Sequence, residues 1–95
     1  MAIKSEISWR RETPEGERVQ VYARRFGGEW RFFIRHRRHE DWQPETQPPL
    51  EDWLALFDAV SRRVPRRLIP PNTLAELRQI ILSRFPQAIL PAAPS

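Results

Sequence analysis

The alternation of hydrophobic and polar residues is most regular over residues 19–39, on both sides of Gly27-Gly28. Two glycines between β-rich runs predict a two-residue hairpin turn of type I′, in which both central positions need a positive φ. Side chains alternate between the two faces of a sheet, so this turn fixes which residues share a face. One face is predicted to be the core face because it collects apolar residues: Val19, Val21, Ala23, Trp30, Phe32 and Ile34.

The opposite face of the hairpin, called the outer face below, is rich in arginine and holds an aromatic pair. Its residues are Arg18, Gln20, Tyr22, Arg24, Arg31, Phe33, Arg35 and Arg37. The register set by the turn places Tyr22 opposite Phe33. It also predicts two like-charge pairs, which destabilise a sheet: Arg24 with Arg31, and Arg18 with Arg37.

A further strand is predicted before the hairpin, because Ile3, Ile7 and Trp9 share one parity. The segment Pro14-Glu15-Gly16 is typical of a three-residue turn whose last residue is left-handed. A four-residue loop would turn Ile7 and Trp9 outward, so the requirement for one apolar face favours the three-residue loop. This loop predicts the pairs Thr13 with Glu17, Glu12 with Arg18, and Glu6 with Arg24.

Two amphipathic helices are predicted after the sheet. Apolar residues recur at helical spacing from Pro49, the expected first helical position, to about Val64, and Leu56 alone lies off that stripe. The second helix is predicted to begin after Pro70-Pro71, with a capping box of Thr73 and Glu76, and to stop at Pro86. Residues 40–48 are predicted to be the connecting loop. The sequence therefore predicts an α+β fold, a three-stranded antiparallel meander followed by two helices packed on one face (βββαα).

Length and composition limit the class of protein. The 95 residues leave room for one domain, predicted over residues 1–86, with a Pro- and Ala-rich C-terminal tail at 87–95 in which 88–90 could form a short strand. There is no cysteine for a disulfide or a Cys-based zinc site. No segment resembles a signal peptide and no apolar run approaches the roughly 20 residues of a membrane span, so a cytoplasmic protein without membrane contact is expected.

Catalytic and metal-binding motifs are missing from the sequence. It has no Cys nucleophile, G-x-S-x-G, H-E-x-x-H or Gly-rich phosphate loop, so we expect neither an enzyme nor a cofactor. His36 and His39 lie three residues apart on the predicted strand and would point to opposite faces, so no shared metal is expected.

The formal net charge is +4, and all of the 16 Lys and Arg residues except Lys4 are arginine. GC-rich codons alone could produce this excess, together with the ten prolines, so the position of the arginines has to decide what they do. Arg62-Arg63 and Arg66-Arg67 flank the end of the first helix, where cations complement the helix dipole. Alternatively, these four residues extend a basic surface.

The outer face is the candidate binding surface, with Arg18, Tyr22, Arg24, Arg31, Phe33, Arg35 and Arg37 as its predicted site residues. Rings that stack on bases and guanidiniums that contact phosphates are typical of nucleic-acid platforms. An acidic protein surface or a second copy of the chain is the alternative partner on the same face, and the oligomeric state is not predicted.

A purely structural interpretation also remains, because cross-strand aromatics stabilise sheets and charged edges limit aggregation. The exposure of Tyr22 and Phe33 separates these hypotheses, since a second helix or tail lying over them would make the outer face a second small core. The meander-then-helix order is similar in topology to small DNA-binding domains such as the arm-binding domains of tyrosine integrases, with no shared residue motif.

Overall fold

A computed structural model of the chain describes residues 6–91. It contains an antiparallel sheet in the order β1-β2-β3-β4 followed by two helices, which confirms the α+β class and the predicted element order. The chain divides into two units, the first ending at Pro48 and the second beginning at Pro49. The elements are β1 (Glu6–Glu12), β2 (Arg18–Phe26), β3 (Glu29–Arg35), β4 (Gln43–Glu45), α1 (Leu50–Arg63) and α2 (Pro71–Arg84).

Some predictions lie beyond what these residues test. Ile3, expected on the core face, and residues 92–95 of the predicted tail lie outside the described residues. The single domain over residues 1–86 and the packing of the helices on the sheet stay predictions.

Both predicted strand registers are confirmed. Trp9 pairs with Val21 between β1 and β2, and Tyr22 pairs with Phe33 between β2 and β3. The first loop has three residues, since the Thr13 N–H donates to the Glu17 carbonyl at 2.7 Å. Its last residue, Gly16, has a φ of 87°, the left-handed conformation that favours glycine. Turn chemistry and side-chain alternation together therefore specify this part of the sheet.

The hairpin turn itself differs from the predicted type. Gly27 has a φ of 60°, whereas Gly28 lies outside the left-handed region. A positive φ at the first central residue alone is the pattern of a type II′ turn, so the prediction of type I′ was wrong. The register is unaffected because both types match the right-handed twist of the flanking strands.

The predicted pairing of Arg18 with Arg37 was also wrong, because β3 ends at Arg35. The Glu40 carboxylate accepts hydrogen bonds from the backbone N–H groups of His36 and Arg37, both at 3.2 Å. A side chain thus takes two donors that a longer β3 would have used in the sheet ladder. Arg37 consequently lies in a turn after the strand, where strand alternation no longer assigns it to a face.

A fourth strand lies in the segment predicted to be a loop. β4 pairs antiparallel with β3, with Pro44 opposite Phe33. Proline lacks the N–H of a strand residue and is therefore tolerated mainly on edge strands, and β4 is an edge of this sheet. Pro44 is accommodated in β4 because only one side of this strand is paired.

The core face of the sheet is the predicted one. Trp9, Trp30 and Ile34 are half-buried, and the Trp9 ring meets the Phe32 ring edge-on with centroids 6.1 Å apart. The remaining predicted residues of this face are buried: Ile7, Val19, Val21, Ala23 and Phe32.

Helix α1 begins one residue later than predicted, with Pro49 as its N-cap and Glu51 and Asp52 in the first turn. Acidic residues at this end complement the helix dipole. Leu56, which the sequence pattern placed off the apolar stripe, is fully buried. α1 therefore buries a wider surface than one stripe, and α2 packs against it.

Helix α2 begins at Pro71, which takes the first helical position with Pro70 as N-cap and no side-chain cap. Thr73 consequently lies inside the first turn, where it is buried, and the predicted capping box was wrong. Proline at this position is pre-organised for a helix and lacks only an N–H that would have no intrahelical partner. The buried apolar residues of the two helices are Trp53, Leu56, Phe57, Ala59, Val60, Leu74, Leu77 and Ile81.

The described segment after α2 has no regular structure, so the short strand considered at residues 88–90 does not form. The Arg78 guanidinium donates a hydrogen bond to the Pro91 carbonyl, which ties this segment back to α2. Over residues 6–91, neither helix has the length and apolar character needed to cross a membrane.

Candidate functional site

The centre of the outer face is the predicted aromatic pair. Tyr22 of β2 and Phe33 of β3 are stacked, with ring centroids 4.8 Å apart and planes inclined by 20°. Offset stacking of cross-strand rings is a favourable arrangement for an antiparallel pair. Both side chains are half-buried rather than exposed, so contacts within the sheet unit occupy part of their surface.

Trp42, which precedes β4, supplies part of that cover. Its ring meets the Tyr22 ring edge-on, with centroids 4.7 Å apart and planes at 87°. The Arg35 guanidinium lies over the Trp42 ring at 4.2 Å, and its Nε donates to Gln20 Oε1 at 2.8 Å. The aromatic pair is therefore a three-ring cluster with one arginine held on its outer ring.

A fourth ring, that of Phe26, lies on the same face at the end next to the hairpin turn. The guanidiniums of Arg24 and Arg31, from opposite strands, lie 5.1 Å and 4.9 Å from the centroid of the Phe26 ring. Each cation–π contact at an exposed site is worth about 0.5–1 kcal/mol, which offsets the repulsion expected between two paired arginines. Phe26 remains 39% exposed.

The charges of this face are unevenly distributed. On β2 and β3 the only carboxylate at an outer position is Glu29, whose Oε1 lies 3.7 Å from Arg31 Nε. Glu6 and Glu12 lie on β1, opposite Arg24 and Arg18 as predicted. Positive charge is therefore concentrated along the β2–β3 hairpin, where the rings also lie.

The structure brings together six of the seven predicted site residues on one face, all except Arg37. It adds Phe26 and Trp42, which sequence reasoning missed. Phe26 shares the parity of Tyr22 and Arg24, so the alternation already contained the signal that places it. Trp42 follows a turn and precedes a proline-containing edge strand, and no local pattern places its ring on Tyr22.

His36 lies beside the sheet, with its Nε2 3.4 Å from Glu17 Oε1. Over the part of the chain that the structure describes, no group of three or more His, Cys, Asp or Glu residues could hold a metal ion. The chemistry of this face is consequently that of rings and guanidiniums, which recognise planar and anionic groups.

No known protein family, curated protein or solved structure matches the chain. The likeness in topology to arm-binding domains therefore has no support beyond strand and helix order, and the geometry of the outer face carries the functional interpretation.

Proposed function

We propose that the outer face of the sheet binds single-stranded nucleic acid, with bases stacking on aromatic rings and phosphates contacting arginines. The observation that carries this proposal is the convergence of Arg24 and Arg31 on the Phe26 ring. The same combination recurs where Arg35 lies over Trp42. Each place offers a planar ring with a guanidinium beside it, the combination of stacking surface and cation that single-stranded nucleic acid platforms use.

The rings of the face have different roles in this proposal. Tyr22 and Phe33 stack on each other, so they support the platform. Phe26 and Trp42 instead have guanidiniums over their rings. A base can displace these guanidiniums from the ring or stack on top of them. Stacking of a base on an aromatic ring is worth about 1–3 kcal/mol and tolerates any sequence, because every base has a π face.

Arginine position supports phosphate binding by the same surface. The cross-strand neighbours Arg24 and Arg31 are both exposed, and Glu29 is the one outer carboxylate on their strands. A phosphate near them would relieve like-charge repulsion and accept charge-assisted hydrogen bonds. Both arginines therefore offer guanidinium donors to a phosphate.

A single strand fits this face better than a duplex. In a duplex the faces of the bases are covered by their neighbours, and only the edges can be read. Rings such as Phe26 and Trp42 can stack only on bases that are unstacked from one another. The proposal therefore predicts a preference for single-stranded over double-stranded oligonucleotides.

The test compares two tryptophans on opposite faces of the same sheet unit. Trp42→Leu removes a stacking ring from the outer face, whereas Trp30→Leu removes a half-buried ring from the core face. Binding of a fluorescent oligonucleotide of about 12 thymidines is followed by anisotropy at about 50 mM salt. We expect Trp42→Leu to weaken binding about fivefold or more, because one base loses its stacking partner, and Trp30→Leu to leave it unchanged.

Two results would overturn the proposal. One is the same affinity for the two variants, which would show that the Trp42 ring takes no part. The other is a dimer of the wild-type chain in solution that Trp42→Leu converts to a monomer. That outcome would assign the face to a protein interface, where Trp, Tyr and Arg are also enriched.

A further inference from the structure

A second concentration of arginine lies in the helical unit, at the end of α1. Arg62, Arg63 and Arg66 line a groove of about 320 Å³ together with Leu68, which is 64% exposed. We call this the arginine groove. None of its residues belongs to the outer face of the sheet.

The local backbone explains how these side chains come together. The Leu68 N–H donates to the Arg63 carbonyl at 3.1 Å, and the Arg67 N–H donates to the Val64 carbonyl at 2.9 Å. These two bonds form a Schellman motif, which ends a helix by a residue in the left-handed conformation. That residue is Arg67, with a φ of 61°. The turn brings Arg66 and Leu68 to the same groove as the last residues of α1.

The charges of the arginine groove are only partly neutralised. Arg62 Nη2 lies 3.3 Å from Asp58 Oδ2, and Arg63 Nη1 donates to the Ala59 carbonyl at 2.9 Å. These contacts agree with the predicted role of cations at a helix C-terminus. Neither contact involves Arg66, which lies in the turn after α1. The three guanidiniums therefore have one carboxylate contact among them, that of Arg62 with Asp58.

We propose that the arginine groove binds phosphate groups, and that its ligand is the phosphodiester backbone of a nucleic acid; this second part rests on the function proposed above. Guanidiniums bind phosphate through paired, charge-assisted hydrogen bonds, and each carries five N–H donors. Arg62 and Arg63 thus keep donors for a ligand beyond those used within the helix. The exposed Leu68 side chain supplies an apolar contact for a sugar or base beside the phosphate.

Two adjacent arginines provide a matched pair of variants. Arg66 lines the arginine groove, whereas Arg67 lines a different groove with Val64, Pro65, Ile69, Pro70 and Pro71. Arg66→Gln and Arg67→Gln remove the same charge from neighbouring positions of one turn. If the arginine groove is a defined phosphate site, only Arg66→Gln weakens phosphate binding. If phosphate is attracted diffusely to a basic surface, both variants weaken it equally.

The first experiment titrates the full chain with inorganic pyrophosphate and follows the arginine Nε–H resonances by NMR. We expect saturable shifts for Arg62, Arg63 and Arg66, and an affinity that Arg66→Gln lowers about fivefold while Arg67→Gln leaves it unchanged. Shifts that do not saturate, or equal losses in the two variants, would overturn the phosphate site.

The second experiment measures oligonucleotide binding as a function of salt for the same variants. We expect Arg66→Gln to reduce the salt slope by about one and Arg67→Gln to leave it unchanged, because only the former loses a phosphate contact. If pyrophosphate binds but Arg66→Gln leaves oligonucleotide binding intact, the nucleic-acid ligand is wrong. If pyrophosphate binds the groove while no oligonucleotide binds, the function proposed for the sheet fails and the phosphate site stands.

Discussion

Phe32 and Phe33 are neighbours on β3, lie on opposite faces of the sheet and are buried to different extents. Phe32 is buried on the core face beside other apolar side chains, whereas Phe33 is half-buried and stacks on Tyr22. The core face gains stability from burial, which is worth several kcal/mol for a fully buried ring. The outer face gains little, because each ring–arginine contact contributes only about 0.5–1 kcal/mol and its paired arginines repel.

This difference indicates what each face is suited to do. Arg24 lies opposite Arg31 on the outer face, and both guanidiniums lie over the Phe26 ring. The outer face combines low stability gain with groups that recognise planar and anionic ligands. The contrast between the two faces is therefore the basis of the functional proposal.

The largest expected effect is the difference in unfolding free energy between variants of Phe32 and of Phe33. We expect Phe32→Ala to lower the free energy of unfolding by about 3–5 kcal/mol, since it leaves a cavity in the core. Phe33→Ala should cost about 1–2 kcal/mol, because it removes a ring that is only half-buried together with its stacking contact on Tyr22. Urea denaturation of both variants gives the two values. Equal losses would show that the outer face is a second core.

The next effect concerns the turn that sets which residues share a face. Gly27→Ala should destabilise the chain by about 1–2 kcal/mol, because Gly27 is left-handed and alanine disfavours that conformation. Gly28→Ala is the control and should have a smaller effect, since Gly28 has no left-handed φ. Thermal unfolding compares the two. The reverse order would contradict the type II′ turn described here.

The smallest effect is the coupling between Arg35 and Trp42. A double-mutant cycle with Arg35→Gln and Trp42→Leu should give an interaction energy of about 0.5–1 kcal/mol, the range of an exposed cation–π contact. The four unfolding free energies of the cycle are measured by urea denaturation. A coupling of zero would mean that the guanidinium is not held on the ring in solution.

The strand registers could be predicted from the sequence because local signals determine them. Gly16 and Gly27 mark the turns, and alternation then assigns every position between them to a face. The same alternation correctly brought Tyr22, Phe33 and the strand arginines together. Most of the candidate site therefore follows from short-range chemistry.

Apart from Phe26, which the alternation could have placed, the features that were missed depend on contacts that no local pattern contains. β4 pairs with the edge of β3 that β2 does not occupy. Its Pro44 has a low strand propensity, so residue preferences alone do not predict this strand. Trp42 immediately precedes β4, and its ring meets that of Tyr22. β3 ends before Arg37, where the Glu40 side chain accepts two backbone N–H bonds. In each case a tertiary or side-chain interaction overrides the strand pattern.

The salt dependence of oligonucleotide binding tests the central claim, that the outer face binds single-stranded nucleic acid, most directly. With Arg24, Arg31 and Arg35 contacting phosphates, replacing all three by Gln should make the slope of the logarithm of the association constant against the logarithm of salt concentration shallower by about 2, while the arginine groove keeps its own contribution. The single strand should also bind more tightly than a duplex of the same length. Failure to form any complex at about 50 mM salt, or a slope that the three replacements leave unchanged, would contradict the claim.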